Sequence, residues 1–173
     1  MKKFVLPILL LFSSFFVQGC VPGSVNLIKN LSEPLTNYKS VAVKVECSEA
    51  IPADTKAEAV AMVKNMFISK LTETKKFQDI YNYDEAKDKA QLWIEVKVTD
   101  FAKDCPCKYK PSRPCAKVSL DGSFINAKTN LIIGEIDAKS DYIIRAIKPY
   151  NTKIEVAASF AISHIIDFIA QSK

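Results

Sequence analysis

The stretch Gln91-Leu92-Trp93-Ile94-Glu95-Val96-Lys97-Val98-Thr99-Asp100-Phe101 carries the clearest structural signal in the chain. Its aliphatic residues, from Leu92 to Val98, alternate with residues of mixed polarity. Because successive side chains of a strand point to opposite faces of a sheet, the alternation predicts a strand with one buried face. The same alternation places Trp93 and Phe101 together on the second face of the strand, which is predicted to be half covered. We assign Trp93 to packing rather than to ligand binding.

Further strands are predicted on both sides of this stretch. They lie at 39–46, 77–81, 117–126 and 131–138, with another at 141–147. The turn residues Asn126-Ala127-Lys128-Thr129-Asn130 join two of these strands. The charged run at 84–89 is predicted as a solvated turn.

Two helices are predicted, at 55–74 and 152–171. Each begins with a capping box, Thr55-Lys56-Ala57-Glu58 and Thr152-Lys153-Ile154-Glu155. The first helix has one apolar stripe, formed by Ala59, Val60, Val63, Met66, Phe67 and Leu71. The second is apolar nearly all round, which predicts burial on more than one side. These elements together predict an α/β fold, a two-layer α+β domain with a mostly antiparallel sheet and two helices packed on it.

Residues 1–19 are predicted to be a lipoprotein signal peptide. Met1-Lys2-Lys3 is a positive start, and residues 4–16 are apolar except for one proline and two serines. The apolar run is too short for the ~20 residues that a membrane-spanning helix needs. A positive start, an apolar core and a small residue before a cut are typical of secretion signals.

The signal ends in Val17-Gln18-Gly19-Cys20, which resembles the lipobox of bacterial lipoproteins. In that family the chain is cut before the cysteine, whose sulfur and amine are then acylated. Ordinary secretion with the same cut is the alternative. The chain has five cysteines, and lipidation of Cys20 removes the odd one. We therefore expect a membrane anchor at Cys20, with Val21 favouring the outer membrane, facing the periplasm, and a tether at 20–38.

The predicted domain at 39–173 contains a cysteine-rich hairpin loop at 103–117. Outside the reducing cytoplasm, Cys47, Cys105, Cys107 and Cys115 are most simply two disulfides. Because Cys105 and Cys107 are too close to bridge each other, we expect one to pair with Cys115 and the other with Cys47. A thiol-redox or metal-dependent activity centred on Cys105 and Cys107 is the alternative.

The same loop is basic, and its candidate binding residues are Lys108, Tyr109, Lys110 and Arg113. We expect a solvated loop or, as the sharper hypothesis, a binding tip for an acidic partner, a lipid headgroup phosphate or an anionic glycan. The formal net charge of +5 falls to +3 when Lys2 and Lys3 leave (5 − 2), which is too small to indicate nucleic acid. We find no catalytic constellation and expect no cofactor.

A family resemblance rests on the pattern from Ser40 to Glu46, the helix that ends at Phe77, the strand 90–101 and the turn Ala127-Lys128-Thr129. The chain resembles a family of bacterial lipoproteins of unknown function. More remotely, it is similar to the periplasmic α/β domain of the curli-secretion lipoprotein and of the penicillin-binding-protein activator lipoproteins. The resemblance implies a fold but no catalytic residues.

The leading hypothesis for function is therefore a lipid-anchored, non-enzymatic envelope protein. It would bind, or help to assemble, another envelope protein or an anionic envelope component. The redox or metal activity is the alternative, and a self-assembling structural lipoprotein is a third possibility.

Overall fold

The structure is a computed structural model that describes residues 23–107, 110–143 and 153–172, and it describes the backbone alone at 104–107, 110–114, 141–143 and Lys153. The elements are β1 (Gly23–Lys29), β2 (Ser40–Cys47), α1 (Ala53–Glu73), β3 (Asp79–Asn82), α2 (Tyr83–Ala86), β4 (Leu92–Cys107), β5 (Lys110–Asn126), β6 (Leu131–Ile143) and α3 (Lys153–Gln171), with short 3-10 turns at Leu35–Asn37 and Lys87–Lys89. The strands form one six-stranded sheet in the order β1-β6-β5-β4-β2-β3.

The sheet is mixed, so the prediction of a mostly antiparallel sheet is wrong, although the α/β class is confirmed. The strands from β4 to β6 and β1 pair antiparallel, whereas β2 pairs in parallel with both β3 and β4. The reason is α1, which carries the chain from the end of β2 back to the start of β3. Such a crossover lets two neighbouring strands run in the same direction.

The chain has three helices in its described part rather than the two that were predicted. The additional helix, α2, is a single turn within the segment that the sequence predicts as charged and solvated. Asn82 precedes it and donates a side-chain hydrogen bond to Glu85 at 2.7 Å. This local contact, which hydrophobic periodicity does not reveal, accompanies the turn.

The helices α1 and α3 lie on one face of the sheet and contact each other. The inner stripe of α1 is buried at Ala59, Val63, Phe67 and Leu71, while Val60 and Met66, which were predicted in the stripe, are only partly buried. All predicted core residues of α3 are buried: Ile154, Ala158, Ala161, Ile162, Ile165 and Ile169. The predicted burial of α3 on more than one side is confirmed, because it contacts both the sheet and α1.

The helix α1 begins at Ala53, two residues before the predicted capping box. Pro52 takes the N-cap position, and no side-chain hydrogen bond caps this end. Proline fits there because its φ of −54° lies in the range that its ring allows, and its carbonyl accepts hydrogen bonds from the amides of Thr55 and Lys56. The capping box predicted at the start of α3 includes Thr152, which lies outside the described residues.

The strand β4 keeps the predicted alternation only as far as Val98. A bulge lies between Val98 and Asp100 in the pairing with β5, and it moves the following residues to the other face. Phe101 is therefore buried in the core, with 6% of its surface exposed, rather than on the face of Trp93. The prediction for Phe101 is wrong because a strict period of two cannot register an inserted residue.

The segment Gly23–Lys29, predicted as part of the tether at 20–38, forms the edge strand β1 and pairs antiparallel with β6. A bulge between Leu27 and Lys29 interrupts its alternation. Every residue of this strand is exposed. The interrupted alternation and the lack of a buried face explain why no strand pattern is visible there.

By length and composition alone, Ile154–Gln171 in α3 could cross a membrane. Its isoleucine and alanine face is buried against the sheet and α1. That packing is what the core helix of an α/β domain requires, and we interpret α3 in this way.

Candidate functional site

The predicted cysteine-rich loop is a continuation of β4 and β5 rather than a structureless connection. The pairing runs through Ala102 with Lys117 and Cys105 with Cys115 as far as Cys107 with Lys110. Bulges interrupt it after Ala102 and after Pro106. The sequence does not predict strands here, because prolines and cysteines interrupt the alternation of apolar and polar residues by which strands are recognised.

Two of the basic residues of this hairpin are held by acidic side chains of the domain. The Lys103 ammonium binds Glu58 of α1 at 2.6 Å, and Lys117 binds Asp100 at 2.5 Å. Of the four predicted binding residues, Lys108 and Tyr109 lie outside the described residues, and the backbones of Lys110 and Arg113 belong to β5.

The register brings two of the cysteines together. Cys105 and Cys115 occupy directly opposite positions on β4 and β5, and such positions match the 4.4–6.8 Å between Cα atoms that is usual for a disulfide. Cys115 is 3% exposed. A bridge between these two residues remains a prediction, and the register is compatible with it.

Cys47 lies elsewhere on the sheet. It is opposite Val98, which pairs with Leu120 of β5, whereas Cys105 pairs with Cys115, five residues away along β5. At ~3.3 Å per residue, Cys47 and Cys105 are therefore about 17 Å apart. A disulfide from Cys47 to Cys105 or Cys107 does not fit this sheet. Cys47 is a half-buried free thiol that donates a hydrogen bond to the Lys56 carbonyl at 3.7 Å. Burial raises the pKa of the thiol.

The base of the hairpin lies at the same end of the sheet as the start of β1. Gly23 is opposite Ser140 of β6, Ser140 is opposite Val118 of β5, and Val118 is opposite Phe101 of β4. The N-terminal end of β1 therefore points towards the hairpin tip.

The opposite end of the sheet carries the tight turn after β5. This predicted turn is confirmed, because the Asn126 side chain accepts hydrogen bonds from the amides of Lys128 and Thr129.

At that opposite end, a cleft of about 530 Å³ lies beside a small polar network. The Asn126 amide donates to Glu33 at 3.1 Å and to the Tyr38 hydroxyl at 3.0 Å. Burial, followed by the hydrogen bond to Glu33, raises the pKa of Tyr38 to about 12. The hydrogen bonds from Tyr38 and Asn126 lower the pKa of Glu33. Sequence reasoning missed this network because its members are distant in the chain.

Trp93 forms one wall of this cleft and is held by its neighbours. Its indole N–H donates to the Lys87 carbonyl at 3.2 Å, and its ring meets Tyr83 edge to face at 5.4 Å. Lys44 and Lys87 each lie within 5.7 Å of the Tyr83 ring centre. The prediction that Trp93 packs on a half-covered face is confirmed.

The outer face of the sheet is polar, and Asp121 and Asp137 lie opposite each other on β5 and β6. Partial burial and the Asp137 charge raise the pKa of Asp121. Lys139 binds Asp137 at 2.7 Å and offsets part of the repulsion between the two aspartates.

His164 lies beside the start of β1, where a Cβ added at Gly23 would come within 2.6 Å of its Nε2. Within the described ranges, no group of three or more His, Cys, Asp or Glu side chains could hold a metal ion.

The comparisons with known proteins concern the fold. No protein-family model and no curated protein matches the sequence. Among solved structures, the chain is similar to a dodecameric protein named PelC from Paraburkholderia phytofirmans, with 11% identity, a TM-score of 0.57, and coverage of 87% of this chain and 99% of that one. It is also similar to a Xanthomonas campestris protein of the DUF330 family, with 10% identity, a TM-score of 0.54, and coverage of 77% and 82%.

A lipoprotein from Neisseria meningitidis matches with 10% identity, a TM-score of 0.46, and coverage of 77% of this chain and 99% of that one. A score below 0.5 carries no argument about this chain. The two better matches establish the fold alone, because their identities are far below the level at which function transfers. The predicted similarity to curli-secretion and penicillin-binding-protein activator lipoproteins is not confirmed by these structures.

Proposed function

We propose that this protein is a lipid-anchored bacterial envelope lipoprotein, anchored through Cys20 in the outer membrane and facing the periplasm. It acts without catalysis, by binding or helping to assemble another envelope component. The observation that carries the proposal is the shared end of the sheet: the start of β1 is level with the base of the basic hairpin. Gly23 follows Cys20 by three residues.

Three residues span at most about 10 Å, so an acyl chain on Cys20 would hold this end of the sheet close to the lipid surface. The hairpin would then meet the headgroups. Lys108, Lys110 and Arg113 would add about 1 kcal/mol each near an anionic surface. Among the partners that the sequence allows for the hairpin, this geometry favours lipid headgroup phosphate.

The anchor is tested first, in cells fed with an alkyne-bearing fatty acid. The native chain should take up the label and Cys20→Ala should not. Equal labelling of both, or of neither, would refute lipidation at Cys20.

The hairpin is tested with the unacylated mature chain carrying Cys20→Ala, mixed with neutral and with anionic vesicles. Combined Lys108→Gln, Lys110→Gln and Arg113→Gln should lower partitioning to anionic vesicles about 100-fold, as expected for about 3 kcal/mol. The matched control is Lys39→Gln, Lys89→Gln and Lys128→Gln, which removes the same charge at the opposite end of the sheet. Equal losses in both triple variants would mean that only net charge matters, and the proposed orientation would be wrong.

Self-assembly is a second candidate, favoured by apolar side chains on the edge strand. Val25, Leu27 and Ile28 of β1 are 42%, 45% and 63% exposed. An edge strand with exposed apolar side chains is a ready template for pairing with another chain. Sizing of the acylated protein in detergent tests this: a discrete oligomer that Leu27→Lys dissolves would support it, and a monomer would exclude it.

A further inference from the structure

One sheet edge stays open beside a helix. The short strand β3 pairs with β2 only from Ser40 to Val43, yet β2 continues to Cys47. On its other side, β2 pairs with β4 from Val41 to Cys47. Within the described part of the chain, no strand therefore covers the outer side of Val45–Cys47. Backbone N–H and C=O groups on such an edge are available to a further strand.

A groove of about 630 Å³ separates this open edge from α1. Val45 and Cys47 line it on the sheet side, and Ala57, Val60 and Ala61 line it on the helix side. The two alanines leave room where longer side chains would close the groove. Val60, which the apolar stripe predicts in the core, is only partly buried because the helix turns this position towards the groove.

The charged residues that line the groove are two lysines and one glutamate. The glutamate, Glu46, is bound by Lys44 at 3.1 Å, and Lys44 also binds Glu95 at 3.5 Å. Lys56 and Lys64 stand on the helix side of the groove. Among the residues that the structure describes, the acidic side chain that pairs with Lys64 is Asp84, at 3.9 Å, and it is 79% exposed, so this contact is weak. The groove therefore favours a segment that brings carboxylates.

We propose that the groove between the outer edge of β2 and α1 binds an extended, acidic segment of a partner protein, which adds to the sheet as a strand beside Val45–Cys47. Main-chain hydrogen bonds to the open edge supply affinity, and small apolar side chains fill the space against Val60 and Ala61. Because successive side chains of a strand point to opposite faces, the carboxylates that meet Lys56 and Lys64 lie on the same face as these apolar side chains, at the two ends of the segment. The inference rests on the proposed binding function and gives it a partner class, whereas the site itself is independent of the anchor and of the hairpin.

The test uses the mature chain with Cys20→Ala and a fluorescent peptide whose one face carries valines at the centre and an aspartate at each end, with threonine at the alternate positions. The same peptide with lysine in place of aspartate is the charge control, and the acidic peptide with alternate N-methylated amides is the main-chain control. Fluorescence anisotropy should show binding of the acidic peptide, with a loss of affinity of about tenfold or more on N-methylation, as for ~1.4 kcal/mol of main-chain hydrogen bonding.

Matched variants locate the site. Ala61→Phe should fill the groove and abolish binding, whereas Ala170→Phe, an exposed alanine on α3, should leave it unchanged. Combined Lys56→Glu and Lys64→Glu should weaken binding about tenfold or more, and Lys89→Glu with Lys128→Glu should not. Circular dichroism of each variant shows that the chain is folded.

The proposal would be overturned by equal binding of the acidic and basic peptides, by no binding of either, or by equal effects of the two lysine pairs. Occupation of the groove by a second copy, seen as a dimer that Ala61→Phe dissolves, would overturn it as well. Because the fatty-acid and vesicle experiments do not involve this groove, they distinguish a failure here from a failure of the proposed anchoring.

Discussion

Replacing Ile165 with alanine tests the central packing of the fold, that of α3 against the sheet. Ile165 is fully buried, and its Cδ1 would lie 3.5 Å from a Cβ added at Gly122 of β5. The glycine leaves the space that the isoleucine fills. Deleting this side chain therefore opens a cavity between the two layers.

The magnitude follows from the atoms removed. Three carbon groups at ~0.8 kcal/mol each give about 2.4 kcal/mol of lost transfer free energy. The cavity adds to this, while the better helix propensity of alanine offsets a few tenths. We expect Ile165→Ala to lower the free energy of unfolding by about 3 kcal/mol and Tm by about 10 °C.

The assay is urea unfolding of the mature chain carrying Cys20→Ala, followed by far-ultraviolet circular dichroism. The matched control is Ile28→Ala, which removes the same atoms from a side chain that is 63% exposed. It should change the free energy of unfolding by less than about 1 kcal/mol. Similar losses in the two variants would refute the packing of α3 against β5.

Three further predictions concern titratable groups. The pKa of Tyr38 is raised to about 12 in the folded protein, so its contribution to stability is present below its ordinary pKa and is lost as pH rises towards 12. The pKa of Glu33 is lowered in the folded protein, so its contribution to stability is present above its ordinary pKa and is lost as pH falls through the folded pKa. Tyr38→Phe should flatten both limbs of a plot of unfolding free energy against pH, and an unchanged plot would contradict the network. Asp121→Asn should raise the free energy of unfolding at pH 7 by less than about 1 kcal/mol, because it removes repulsion from Asp137, and the gain should vanish in acid, where a carboxyl of raised pKa is protonated. Cys47 should react with iodoacetamide more slowly than an unfolded-state thiol at pH 8, measured by peptide mass spectrometry, and no reaction before reduction would instead indicate a disulfide.

Local patterns predicted most of the elements. The strand from Leu92 and the helices α1 and α3 are found within a few residues of their predicted positions. The polar turn after Asn126 is found as well, because the side chain of that residue supplies its own hydrogen bonds. These predictions hold because side-chain periodicity, helix stripes and turn residues act over a few neighbouring positions.

The candidate sites were less predictable. The sequence identified the basic, cysteine-rich stretch but described it as a loop, and it paired Cys47 with a cysteine that the sheet places about 17 Å away or further. It gave no sign of the open edge at Val45–Cys47, because the length of β3 relative to β2 appears only when the two are aligned. It also missed Glu33 and Tyr38, whose partner Asn126 is distant in the chain.

The sequence by itself determined which segments become strands and helices, which of their faces are apolar, and where a secretion signal and an acylation site are to be expected. Only the tertiary structure decided that β2 runs parallel to both neighbours, that β1 joins the sheet, and that the start of β1 and the hairpin share one end. The physical reason is the range of the interactions. A residue's preference for a strand or a helix, and for its buried face, is set by its immediate neighbours, whereas strand order, direction and register are set by contacts between residues far apart in the chain.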